Sequence, residues 1–105
     1  MNSIMTKNME VCFLCGSRKC IEIHHIYSGP FRKKSTKYGM VVPLCYECHR
    51  GTNGVHSNRA KMDKLRALGQ RKFQEVYPNI DFLKTFGRNY FYEETELPSL
   101  DLEKL

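Results

Sequence analysis

Four of the five cysteines stand in two pairs, each with two residues between its members. The pairs are separated by 29 residues, and their members are Cys12, Cys15, Cys45 and Cys48. A CxxC turn presents two thiolates from one loop, and two such turns supply the four sulfur ligands of tetrahedral zinc. The spacing therefore predicts a structural zinc site held by these four residues. The fifth cysteine, Cys20, is expected to be a small buried residue.

Disulfide bonds are the alternative use of these cysteines. The first ten residues lack the apolar block of a secretory signal, and no apolar run approaches the roughly 18 residues of a membrane helix. We therefore expect a cytoplasmic protein with no membrane association. Thiols stay reduced in that compartment, which favours metal binding over disulfides.

The four histidines lie in the same part of the chain, at His24, His25, His49 and His56. His24 and His25 end an apolar, β-branched segment, and His49 directly follows the second cysteine pair. The two pairs should bring that segment beside the residues after Cys48, so these three imidazoles are expected to converge. Since zinc already has four sulfurs, the histidines favour a second role, either as ligands of a catalytic metal, as a general base, or both.

The patterning also predicts the elements that position these side chains. Two short strands, 20–26 and 40–44, flank a basic loop, 28–39, which glycine and proline punctuate. Apolar residues then recur every three or four positions and predict a helix from about 58 to 77. Its inward face is expected to contain Met62, Leu65, Gly69, Phe73 and Val76. A short second helix around 82–86 ends at Gly87.

These elements predict a small zinc-stabilised α+β domain with C-terminal helices. It should span residues 11–92, with a flexible arm before it (1–10) and an acidic tail after it (93–105). The tail contains five acidic residues and one lysine, so residues 1–92 have 16 basic and 6 acidic residues, a net charge of +10. Such a charge suits a polyanionic partner, most simply a nucleic acid.

The motifs CxxC, IHHI and LCxxCH, over about residues 11–57, resemble the HNH endonucleases, and in particular the small HNH proteins of phages and prophages. These are ββα-metal nucleases with an embedded treble-clef zinc site. The resemblance implies metal-dependent hydrolysis of DNA, by nicking or by double-strand cleavage, that leaves 5′-phosphate and 3′-hydroxyl ends. His25 would be the general base, and His24 and His49 would hold a catalytic divalent metal (Mg²⁺, Mn²⁺, Ni²⁺ or Zn²⁺). His56 would be a third ligand or phosphate contact if its loop folds back, and otherwise a helix-entry residue.

The chain departs from this family at Met40, where many members have an asparagine that braces the loop and orients the base. Tyr38 or a backbone group could take over that bracing. Adjacent residues of a strand face opposite sides, so His24 and His25 should address the site from two directions. Ile21 and Ile23 share the side of His25, which is therefore expected to lie against the edge of the core.

Basic residues beside the proposed site are candidates for contacts with DNA phosphates, with solvated surface charge as the alternative. They are Arg32, Lys33, Lys34, Lys37, Arg50 and Arg59. Nothing in the sequence provides a code for reading bases, so little sequence specificity is expected. A non-catalytic zinc module that binds nucleic acid is the alternative function, and an interaction protein that docks through residues 90–92 or the tail is a third. A recombination or packaging partner could direct the nuclease.

Overall fold

Two strands and four α-helices make up the computed structural model, which describes residues 2–91. The strands are β1 (Ile21–His25) and β2 (Val41–Cys45). The helices are α1 (Arg32–Tyr38), α2 (Tyr46–Arg50), α3 (Arg59–Val76) and α4 (Phe82–Phe86). The α+β class predicted from the sequence is confirmed. No helix in these 90 residues is long and apolar enough to cross a membrane.

The two strands pair as an antiparallel hairpin that connects the cysteines to the histidines. Ile21 is opposite Cys45 at one end, and His25 is opposite Val41 at the other. All five residues of β2 are buried, whereas in β1 His24 is buried, Ile23 is exposed and the other three residues are half-buried. Consequently β2 delivers Cys45 and the start of α2 to one end of β1, close to the first cysteine pair.

The segment between the strands is helical, so the prediction of a basic loop over 28–39 was wrong. Gly29 and Pro30 form a short 3₁₀ turn with Phe31, and α1 follows directly. Gly39, at φ 75°, ends α1 in the left-handed conformation that glycine adopts without strain. The residues that indicated a loop therefore lie at the ends of a helix: Gly29 and Pro30 before its first turn, and Gly39 after its last.

The long helix α3 matches its predicted bounds and has Asn58 as its N-cap, whose side chain accepts a hydrogen bond from the Lys61 amide. Met62, Leu65, Gly69 and Phe73 are buried as predicted, but Val76 is 43% exposed, and that part of the prediction was wrong. Gln74 and Glu75 are exposed as well, so Val76 lies with them on the solvent side of the last turn of α3.

At Gly69, α3 packs closely against residues next to the hairpin. A Cβ atom at this position would lie 2.7 Å from the hydroxyl oxygen of Tyr27 and 3.3 Å from side-chain atoms of Ile26 and Met40. This close packing involves residues that directly follow β1 and precede β2.

Aromatic rings fill the space between α3, α4 and the residues after β1. The Tyr27 ring lies 4.5 Å from that of Phe86 and 5.2 Å from that of Tyr90, centroid to centroid. Helix α4 ends at Gly87, as predicted, and Tyr90 is buried. Tyr92 and the acidic tail fall outside the described residues.

The arm before the first cysteine pair contacts the hairpin. The Ser3 hydroxyl donates to the Val41 carbonyl over 2.6 Å, and the Ile4 amide donates to the Gly39 carbonyl over 2.9 Å. Ile4 and Met5 also pack against the core. The flexibility expected of residues 1–10 stays a prediction.

Candidate metal centres

The four paired cysteines meet in one cluster at the end of the hairpin. Their sulfur atoms all lie within 4.8 Å of one another, and the Sγ atoms of Cys15 and Cys45 are 3.6 Å apart. Two ligands of a tetrahedral zinc ion, each at about 2.3 Å, are separated by about 3.8 Å. All cysteines are free thiols, so the cluster has the composition and spacing of a zinc site.

Backbone hydrogen bonds fold the first cysteine pair, Cys12 and Cys15, and hold it against β2. The Phe13 amide donates to the Pro43 carbonyl over 2.7 Å, and the Cys12 amide donates to the Ser17 carbonyl over the same distance. Burial disfavours the Cys12 thiolate, but backbone hydrogen bonds outweigh that effect and lower its pKa to about 7. Burial raises the pKa of Cys48, and the neighbouring cysteines add to this rise. Four thiols so close together cannot all ionise without a cation, and zinc would supply its charge.

Cys20 lies outside this cluster and is exposed, so the expectation of a buried residue was wrong. Its backbone has φ 51°, the one positive value among non-glycine residues in the described part of the chain. Cys20 lies between the first cysteine pair and β1, and in this conformation its side chain is on the surface.

His24, His49 and His56 form the second cluster, with ring nitrogens within 4.8 Å of one another. The Nε2 atoms of His49 and His56 are 3.1 Å apart, close to the separation of about 3.4 Å for two tetrahedral ligands of zinc at 2.1 Å. His24 is 2% exposed, and its Nε2 is the one buried side-chain nitrogen or oxygen among residues 2–91 without a hydrogen-bond partner.

The environment of His24 keeps its imidazole neutral. Burial lowers its pKa to about 3, and the nearby His49 and His56 act in the same direction. Burial also lowers the pKa of His56, with His49 as a second cause. A buried nitrogen without a hydrogen-bond partner is costly, and a neutral imidazole is the form that binds a metal. The three residues therefore fit a divalent cation.

His56 reaches this cluster because the loop after α2 folds back along the helix. The Val55 amide donates to the Cys48 carbonyl over 2.8 Å, and the His56 amide donates to the His49 carbonyl over 3.2 Å. Gly54 permits the approach, since a Cβ atom there would lie 2.7 Å from the Glu47 carbonyl oxygen. The loop therefore folds back in the way that a role of His56 as third ligand or phosphate contact requires.

Glu22 is a residue of this site that sequence reasoning missed. Its Oε1 lies 2.7 Å from Nδ1 of His49, and its Oε2 accepts from Arg50 over 2.6 Å. Arg50, and after it His49, lowers the pKa of the Glu22 carboxyl. A carboxylate that accepts a hydrogen bond from one ring nitrogen leaves the other free to bind a metal. The signal was available, because Glu22 precedes His24 by two positions and shares its side of β1.

His25 faces away from the cluster, toward α1, as the alternation of the strand predicted. The expectation that it converges with His24 and His49 was therefore wrong, and His56 takes that place. Its Nε2 lies 3.0 Å from the Thr36 hydroxyl, which also lies 3.3 Å from the Arg32 carbonyl. Burial, and then the Arg32 guanidinium, lower the pKa of His25. His25 is half-buried, and on its side of the strand Ile21 packs against the core whereas Ile23 is 37% exposed. The expected position of His25 against the core edge therefore stays a prediction.

Ser35 braces the loop after β1. Its hydroxyl donates to the Tyr27 carbonyl over 2.6 Å and accepts from the Tyr27 amide over 3.1 Å, and the side chain is fully buried. The Met40 carbonyl also accepts from the Ile26 amide over 3.0 Å, so a backbone group, one of the two expected substitutes, helps to hold the residues after β1. The Met40 side chain is buried in the core beside Gly69. Neither Ser35 nor Thr36 was detectable from a segment that was expected to be a loop.

The basic residues predicted to contact DNA differ in whether their charged groups already interact with other residues. Arg50 is paired with Glu22, and Arg59 with Asp63 at 3.0 Å. The Lys34 ammonium donates to the Thr85 carbonyl over 2.9 Å and so connects α1 to α4. The Lys37 ammonium lies 5.3 Å from the Tyr38 ring. Arg32 and Lys33 are both exposed on the first turn of α1, and Arg32 is the cation that acts on His25.

No protein-family model, curated protein or solved structure matches this chain. The geometry of the two clusters is therefore the basis on which a function is assigned.

Proposed function

We propose that this protein is a metal-dependent endonuclease of the HNH type, with a treble-clef zinc site formed by Cys12, Cys15, Cys45 and Cys48. The observation that carries the proposal is the buried, unpartnered Nε2 of His24, which converges with the ring nitrogens of His49 and His56. A zinc site alone would need none of these histidines. The alternative, a non-catalytic zinc module, leaves the second cluster without a purpose.

The metal set in this proposal is His24, His49 and His56, with Glu22 orienting His49. A divalent cation bound there supplies positive charge that stabilises the developing charge on the phosphate and on the leaving 3′ oxygen. Imidazole ligands favour Mn²⁺, Ni²⁺ or Zn²⁺ over Mg²⁺, which prefers oxygen ligands.

His25 is the general base in this scheme. The Thr36 hydroxyl has one proton, and when it donates that proton to the Arg32 carbonyl its oxygen accepts from Nε2–H of His25. Nδ1 of His25 then carries the lone pair and takes the proton from the attacking water. The lowered pKa keeps the ring unprotonated at neutral pH, which a base requires.

The net charge of +10 over residues 1–92 favours DNA, a polyanion, as the substrate. Arg32 and Lys33 are exposed on the first turn of α1, and Arg32 lies near enough to His25 to lower its pKa, so a phosphate of the bound strand would pass there. Contacts of this kind fix the backbone of the strand without reading bases, so cleavage should depend little on sequence. By resemblance to the HNH family, the products carry 5′-phosphate and 3′-hydroxyl ends.

The test compares the two adjacent histidines of β1 in the zinc-loaded protein. Supercoiled plasmid is incubated with Mg²⁺, Mn²⁺, Ni²⁺ or added Zn²⁺, and binding of the same ions is measured by calorimetry. His25→Ala should cleave about 10²- to 10⁴-fold more slowly than wild type while binding the metal normally. His24→Ala should lose both cleavage and metal binding.

The comparison separates the role of each residue from the activity itself. If wild type leaves the plasmid intact in every metal, the proposed function is wrong and the binding module is favoured. If His25→Ala cuts as fast as wild type, the base is another group.

A further inference from the structure

A cavity of about 380 Å³ opens beside the histidine cluster, between the loop after α2 and the face of α3. Its lining residues are Val55, His56, Ser57, Arg59, Met62 and Arg66. His56 belongs to both the cavity wall and the histidine cluster. A molecule in this cavity would therefore lie next to the metal set.

Arg66 is the unusual residue of this cavity. Its side chain is half-buried, its Nε donates to the Ile26 carbonyl over 3.1 Å, and its guanidinium carbon lies 5.7 Å from the Tyr90 ring. Within residues 2–91 no carboxylate forms an ion pair with it. Arg50 and Arg59, by contrast, each have an acidic partner.

The position of Arg66 imposes an electrostatic cost that an anion would remove. Its side chain shares the cavity wall with His56, whose ring belongs to the proposed metal set. A partly desolvated cation without a counter-ion is unfavourable, and a metal ion bound nearby would add to the repulsion. A negatively charged ligand would offset both.

The donors available in the cavity match a phosphate. A guanidinium has five N–H donors in a planar fork, and the bond to Ile26 uses one of them. The remaining donors suit two oxygens of one phosphate group, which is the geometry that favours arginine over lysine. The Ser57 hydroxyl, also in the cavity wall, is a further donor.

We infer that this cavity is a phosphate subsite for the bound DNA strand, with Arg66 as its principal donor. The inference rests on the proposed function and extends it, because Arg66 lies on α3, outside the segment 11–57 that resembles HNH nucleases. The strand would then be held from two sides of the metal set, by α1 near His25 and by α3 near His56.

The test measures binding of a fluorescently labelled DNA duplex by the zinc-loaded His25→Ala protein in Mn²⁺, over a series of salt concentrations. Arg66→Met keeps most of the aliphatic stem and removes the charge. It should weaken binding about 10- to 100-fold and reduce the slope of log Kd against log salt concentration by about 0.9. Arg66→Lys should restore the slope but only part of the affinity.

Arg71→Met is the matched control, since Arg71 is an exposed arginine on the same helix, about 140° further around its axis. It should change the slope much less than Arg66→Met does. Thermal unfolding of each variant reports the loss of the Arg66 bond to Ile26. If Arg66→Met lowers the melting temperature and leaves the salt slope unchanged, Arg66 is a structural residue and the inference is wrong.

The inference and the proposed function fail in different ways. Cleavage by wild type combined with an unchanged salt slope in Arg66→Met overturns the subsite and leaves the nuclease standing. Intact plasmid in every metal combined with a reduced slope overturns the nuclease and supports a phosphate subsite in a DNA-binding protein.

Discussion

Glu22 offers the sharpest test of the metal site proposed at the histidine cluster. Its carboxylate contributes two things to His49, namely an acceptor for the Nδ1 proton and a negative charge 2.7 Å from the ring. Glu22→Gln keeps an oxygen that can accept the hydrogen bond and removes the charge. Glu22→Ala removes both, so the pair of variants separates orientation from electrostatics.

The expected magnitudes follow from these contacts. Loss of a partner that orients a metal-bound histidine weakens metal binding by about 10- to 100-fold. Because Gln still holds the tautomer of His49, we expect Glu22→Gln near the lower end of this range and Glu22→Ala near the upper end. Loss of Glu22 also frees Arg50, whose guanidinium now bonds both carboxylate oxygens and would then repel the cation.

Calorimetric titration of the zinc-loaded protein with Mn²⁺ or Ni²⁺ measures the effect directly. Glu10→Gln is the control, since it removes the same charge at an exposed residue whose nearest cation, Arg18, is 3.9 Å away. The control should bind the metal as wild type does, and all variants should keep their zinc. Wild-type affinity in Glu22→Ala would refute the orienting role of this carboxylate.

Two further predictions concern the stability of the fold. Chelation of zinc should unfold the domain reversibly, because a structural zinc site contributes about 10–16 kcal/mol, which matches or exceeds the 5–15 kcal/mol by which domains are stable. Far-UV circular dichroism checks this, and Cys45→Ser should behave like the chelated protein while Cys20→Ser, at the exposed cysteine outside the cluster, should not. Gly69→Ala gains about 1 kcal/mol of helix propensity but overpacks against Tyr27 at a cost of about 1–3 kcal/mol, so the denaturation midpoint should fall or stay unchanged. The same substitution should be better tolerated in a Tyr27→Phe background, and a gain in stability of Gly69→Ala in the wild-type background would contradict the close contact.

The parts of the fold that the sequence predicted well are those where one periodic signal decides the outcome. Helix α3 has a regular apolar face and Asn58 as its N-cap, and both strands are short β-branched runs. The segment 28–39 failed for a physical reason, since α1 is only seven residues long and polar, and it is held by tertiary contacts rather than by its own periodicity. One of these contacts is the buried Ser35, which the sequence of a charged segment gives no means of detecting.

The candidate site was predictable where spacing along the chain determines proximity in space. The two cysteine pairs and the alternation of His24 and His25 are of this kind. The partners of these side chains were not predictable, because Glu22 reaches His49 across 27 positions and Thr36 reaches His25 only through a helix that was not expected. Such contacts depend on the register of the hairpin and on the path of α1.

The two candidate metal sites are connected through the backbone rather than merely adjacent. Cys48 and His49 are consecutive, and the amides of Val55 and His56 bond their two carbonyls in the same order. A ligand that fixes Cys48 therefore also fixes the backbone of His49 and, one hydrogen bond further, that of His56. In the proposed nuclease, zinc would therefore act on catalysis through position, since its loss would separate the three imidazoles without removing any of them. Gly54 is essential to the connection, because its Cα lies so close to α2 that any side chain would push the loop, and His56 with it, away from the cluster.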